Sequence, residues 1–111
     1  MLTGEYVKPR IDIPRMANMV QNILKLALDS YVKRDVRMAE SLVAMEEEID
    51  HLYSKIFQEL VVIMQENPKT VPHAVQLIMV ARQLERIGDH CTNIGEMVVY
   101  LEKGERVKLN D

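Results

Sequence analysis

Apolar side chains recur at every third and fourth position along most of the chain, and nowhere do they alternate with polar ones over the length of a strand. This is the helical period, so the sequence predicts an all-α protein. In the first periodic stretch, Met16, Met19, Val20, Ile23, Leu24, Ala27, Leu28 and Tyr31 share one side. A helix is expected from about Pro14, a residue suited to a first turn, to about Lys33. Arg34 and Asp35 interrupt it, with Asp35 placed to cap the next helix. That second helix is expected over 36–67, with an apolar stripe of Leu42, Met45, Ile49, Leu52, Tyr53, Ile56, Leu60 and Met64. Pro68 ends it, because the residue before a proline is driven out of the α conformation. Thr70 stands where it can cap a third helix, over 71–103, that closes at Gly104. Long helices joined by short links pack antiparallel to their neighbours. The expected fold is therefore an antiparallel three-helix bundle over 14–104, preceded by a non-helical lead over 1–13 and followed by a tail over 105–111.

Two of these helices carry more than packing residues. At roughly 100° per residue, Glu85, Asp89 and Glu96 fall on one narrow line of the third helix. Ala81, Gly88 and Gly95, spaced by seven, form a second line beside it. A glycine inside a helix costs about 1 kcal/mol relative to alanine. Two of them call for a seam where another helix comes close. A second acid pair, Glu46 and Asp50, repeats the spacing of Glu85 and Asp89 on the second helix. Asp50 and Asp89 are equally far from the link between Lys69 and Thr70, so an antiparallel hairpin sets them at one height. Carboxylates gathered in this way repel and raise one another's pKa unless a cation joins them. Hard and borderline cations take such oxygen donors. The competing reading pairs these acids with Lys55, Arg82 or Arg86 on a solvated face, the common fate of acids one turn apart.

The other polar candidates are weaker. His51 and His90 each follow an aspartate and are turned about 100° away from it. His73 belongs to a helix start, Asn93 borders the acidic row and can help orient it, and Cys91 falls on the apolar side as a small buried hydrophobe.

Composition narrows the function further. The chain has 111 residues, 28% charged and 48% hydrophobic, which suits one soluble domain with a single core. Its net charge of -3 is interspersed, so it lacks the basic footprint of a nucleic-acid binder. One cysteine excludes an internal disulfide. The longest apolar run, residues 60–64, is far short of the roughly 20 residues a membrane helix needs. With no signal-like segment, a cytoplasmic location is expected. There is no glycine-rich phosphate loop and no zinc-protease motif. A di-iron oxidase bundle needs two E-x-x-H motifs, and Glu48-x-x-His51 stands alone. The sequence thus reads as a non-enzymatic module.

The run from Leu84 through Glu85-Arg86-Ile87-Gly88-Asp89-His90-Cys91-Thr92-Asn93-Ile94-Gly95 to Glu96 resembles the closing helix of the PhoU family, whose signature reads close to L-E-R-I-G-D-H-x-x-N-I-x-E. Cys91 takes a place where that family usually has a small residue such as Ala. The pattern Gly4-Glu5-x-Val7-Lys8 also returns as Gly104-Glu105-x-Val107-Lys108. Together with the resemblance, this suggests a single repeat, the C-terminal half of a two-repeat protein. The resemblance implies the same bundle fold and a negative regulator of phosphate uptake and the phosphate-starvation response. Its implied partners are the ATPase subunit of the phosphate-specific ABC transporter and a phosphate-sensing histidine kinase. It also implies multinuclear iron or zinc held by paired acid-x-x-x-Asp motifs. Here these would be Glu46, Asp50, Glu85 and Asp89, with Glu96 at the margin and Asn93 behind them. The alternatives are a structural helical module attached to another transporter or regulator, and a metal-dependent enzyme. Self-association through an exposed apolar strip is expected as well, with Met16, Met19 and Met38 as candidates.

Overall fold

The computed structural model describes residues 7–104, and every regular element among them is helical. In chain order these are α1 (Val7–Lys33), α2 (Val36–Glu40), α3 (Leu42–Glu66) and α4 (Val71–Lys103), with a 3-10 turn at Pro68–Thr70 between the last two. α1, α3 and α4 each pack on the other two, giving the expected three-helix bundle, while α2 lies mainly against α4 and α1.

Local chemistry explains most boundaries. α1 ends with Arg34 in the left-handed region (φ 52°). The N–H of Arg34 reaches the carbonyl of Tyr31 at 3.2 Å and that of Asp35 reaches Ser30 at 3.0 Å, a closure that satisfies the last open carbonyls of a helix. Asp35 then caps α2 by accepting from the Met38 N–H at 3.1 Å. At the far end of the hairpin, Asn67 is extended (φ -142°, ψ 93°) before Pro68. Gly104 closes α4 at φ 71°, a conformation glycine adopts without strain.

The structure departs from the expected elements in three places. α1 begins at Val7, with Pro14 inside it. An interior proline gives up one backbone hydrogen bond, but Asp12 and Ile13 before it pack inward and carry the helix past it. The expected 36–67 helix is divided at Ser41, whose hydroxyl donates to the Met38 carbonyl at 2.6 Å. Thr70 does not cap α4 with its side chain. Its hydroxyl turns back to the Asn67 carbonyl at 2.7 Å. Residues 1–6 and 105–111 lie outside the described residues, so most of the sequence repeat and the tail do too.

The core follows the predicted stripes on the inner faces. Met16, Val20, Ile23 and Ala27 of α1 meet Leu42, Ile49, Leu52, Ile56 and Leu60 of α3 and Ala74, Ala81 and Cys91 of α4. Leu28 (50% exposed) and Tyr31 (51% exposed), assigned to that stripe by their spacing, stand on the surface instead. Met16 is fully buried and Met19 and Met38 half-buried, so the expected exposed methionine strip is not formed by them. The exposed apolar residues include Met79, Ile87, Met97 and Leu101 of α4. Among the described residues, no helix is long and apolar enough to cross a membrane.

Candidate metal centre

Position 46 explains the site. Glu46 lies one turn after Leu42 and one turn before Ile49, in the middle of the α3 core stripe, so packing α3 on α4 takes its carboxyl inside. It is 3% exposed. Across the seam, Ala81, Gly88 and Gly95 are all buried, and the glycine at 88 leaves the space into which Glu46 folds. Asp50 follows one turn later on α3, half-buried, and Asp89 faces it from α4. The Thr92 hydroxyl donates to the Asp89 carbonyl at 2.7 Å within that turn.

Glu46, Asp50 and Asp89 each offer a carboxylate oxygen lying within 4.8 Å of the others. The equal spacing of Asp50 and Asp89 from the hairpin link therefore becomes a real juxtaposition. Both carboxyl oxygens of Glu46 and Oδ1 of Asp50 are buried without a hydrogen-bond partner. Ion pairs join Arg15 to Asp12, Arg34 to Glu102 and Lys103 to Glu40, and none of these reaches the cluster. Lys55, Arg82 and Arg86 are exposed and do not pair with the three acids.

The electrostatics follow from that isolation. Burial, then the contacts with Asp89 and Asp50, push the Glu46 carboxyl up to about 10. Glu85, half-buried beside the cluster, is pushed up to about 7, first by burial and then by Asp50 and Asp89, with Arg82 pulling the other way. Burial, with Glu46 nearby, also raises the Cys91 thiol. Acids so placed can coexist in two ways. They can share protons, or they can share a cation, whose oxygen ligands they would be. The unpartnered, inward-facing oxygens fit a bound cation.

The remaining predicted residues fall around this centre. Glu85 is electrostatically part of it. Glu96 is half-buried two turns beyond Asp89 and outside the group of three, while Asn93, His51 and His90 are exposed. Cys91 is buried on the apolar side, as its position on the helix suggested. A further buried acid is not apparent from the sequence. Asp12 is 5% exposed, with Oδ2 lacking a hydrogen-bond partner and Oδ1 3.9 Å from Arg15. Its helical spacing to Met16 is the signal, hidden when Pro14 is taken as the start of α1.

A three-helix bundle whose hairpin carries an acid-x-x-x-Asp pair on each arm, facing across a glycine seam, defines the class of domain. The chain belongs to the PhoU domain family, which it matches over residues 13–98. Among its relatives, the phosphate-specific transport system accessory protein PhoU homolog of Clostridium acetobutylicum is 40% identical over 100 residues, covering 90% of this chain and 46% of that protein. The PhoU homolog of Caulobacter vibrioides is 41% identical over 95 residues, 86% of this chain and 41% of its own length. PhoU homolog 2 of Thermotoga maritima is 39% identical over 102 residues, 92% of this chain and 43% of its own length. The chain thus spans less than half the length of these relatives, as a single repeat would. No solved structure matches it.

Proposed function

We propose that this chain is a regulatory PhoU domain that acts in the control of phosphate uptake through protein contacts, with a carboxylate metal centre built into the α3–α4 hairpin. The observation that carries the metal part is the trio Glu46, Asp50 and Asp89, close together, with both oxygens of Glu46 and Oδ1 of Asp50 buried and met by no donor among the described residues. Glu46, Asp50 and Asp89 would hold the ion, Glu85 would complete the set, and Glu96 is the outlying acid of the row with Asn93 beside it. A bound iron or zinc ion would neutralise the mutual repulsion of these carboxylates. The first turns of α3 would then be tied to the middle of α4, and the hairpin would present one fixed outer surface to a partner.

The regulatory part rests on family membership and on relatives that carry the name of transport accessory proteins. In this reading the domain is cytoplasmic and non-enzymatic. Its partners are the ATPase subunit of a phosphate-specific ABC transporter and a phosphate-sensing histidine kinase. Co-purification of the protein with the transporter ATPase and the histidine kinase of its own cell tests this. Retention of the ATPase, and loss of phosphate-dependent control of uptake when the gene is deleted, are expected. A protein that binds neither partner and whose deletion leaves uptake unchanged would overturn the regulatory reading.

A further inference from the structure

An ideal Cβ placed on Gly88 would stand 2.7 Å from Glu46 Oε2, closer than real side chains approach. The next atoms it would meet, Ile49 Cδ1 and Cγ2, are at 3.4 and 3.7 Å, near ordinary contact. The missing methyl therefore serves one neighbour in particular, a carboxyl oxygen. That oxygen is buried, and among the described residues no N–H or hydroxyl group donates to it, so no fixed donor of the chain orients the Glu46 carboxyl. The recess over the α4 backbone gives it room beside Asp50 and Asp89.

We propose that Gly88 is a positioning residue of the carboxylate centre. Its bare Cα forms the recess that receives Glu46 and keeps that carboxyl within reach of Asp50 and Asp89. The inference rests on the metal reading of the hairpin acids and adds to it a residue that contributes no ligand atom. It also separates two roles that the Ala81, Gly88 and Gly95 seam would otherwise merge. If glycine at 88 served only helix packing, alanine would be tolerated, since the contacts with Ile49 can relax and alanine is the better helix former. If glycine positions Glu46, alanine must push the carboxyl aside, at the far end of a flexible side chain, and spoil the donor set while the bundle survives.

The test is a double-mutant cycle on zinc binding, read by isothermal titration calorimetry, with far-ultraviolet circular dichroism confirming the fold of each variant. Gly88→Ala is expected to melt no lower than the parent without metal, and to bind zinc about 10- to 100-fold more weakly, the usual loss when a ligand's support is removed. Glu46→Asp withdraws the carboxyl by one methylene, away from the recess. In that background, adding Gly88→Ala should cost less than about threefold, because the clash is gone and the two sites are coupled. Equal zinc affinity for Gly88→Ala and the parent would overturn the positioning role while leaving the metal reading standing. So would the same loss on adding Gly88→Ala in both backgrounds. A parent protein that takes up neither zinc nor ferrous iron, the cycle being run with whichever ion binds, would overturn both.

Discussion

Replacing Glu46 by glutamine should stabilise the metal-free protein at neutral pH, although it removes a buried native side chain. In the fold the Glu46 carboxyl keeps its proton up to about 10, against its ordinary 4.5. Between those values the folded form holds a proton that the unfolded chain has released, so stability falls as pH rises. The contribution is complete below about pH 4.5 and shrinks by about 1.4 kcal/mol for each pH unit above it. By pH 7 the loss amounts to about 3 kcal/mol. Glutamine has the same shape, never ionises, and can donate its amide to Asp50 or Asp89. Glu46→Gln should therefore be about 3 kcal/mol more stable than the parent at pH 7 with chelator present, and its stability should vary less between pH 5 and 8. Urea unfolding followed by circular dichroism measures both quantities. A variant no more stable than the parent at pH 7, with the same pH slope, would refute the idea that a buried, unpartnered acid sits in the seam.

Asp35→Ala removes the cap on the Met38 N–H and should cost about 1 kcal/mol of stability, read from the same urea curves. Cys91, buried and with its thiol raised, should resist alkylation at pH 8 in the folded protein and react at once in denaturant. His51→Ala and His90→Ala should leave zinc affinity within about twofold of the parent, since surface changes away from a site have small effects.

The architecture was legible because three apolar stripes of helical period, punctuated by Asp35, Pro68 and Gly104, leave little freedom in how the chain folds. Spacing also placed Asp50 opposite Asp89, since height along an antiparallel hairpin is simple counting from the link. What it missed depends on atoms, not on period. Pro14 is a first-turn signal only while nothing before it packs inward, and Asp12 and Ile13 do. Leu28 and Tyr31 share the α1 stripe in projection, but the bundle closes on a narrower face than the stripe is wide. The seam glycines were visible as a packing device. That one of them receives a carboxyl was not, because helix spacing gives no side-chain reach across an interface. The depth of Glu46 had a signal in its place between Leu42 and Ile49, whereas the exposure of Asn93 beside an acidic row had none.

Thermal unfolding with and without iron or zinc is the most direct test that the hairpin acids form a metal centre. An ion that binds only the folded state stabilises by about 2.7 kcal/mol at a hundredfold excess over Kd. The parent protein should melt several degrees higher with metal, a chelator should reverse the gain, and Asp89→Asn should lose most of it while melting normally without metal. A melting temperature that no metal moves, with Asp89→Asn indistinguishable from the parent, would contradict the metal centre and leave Glu46, Asp50, Glu85 and Asp89 as acids that merely share protons.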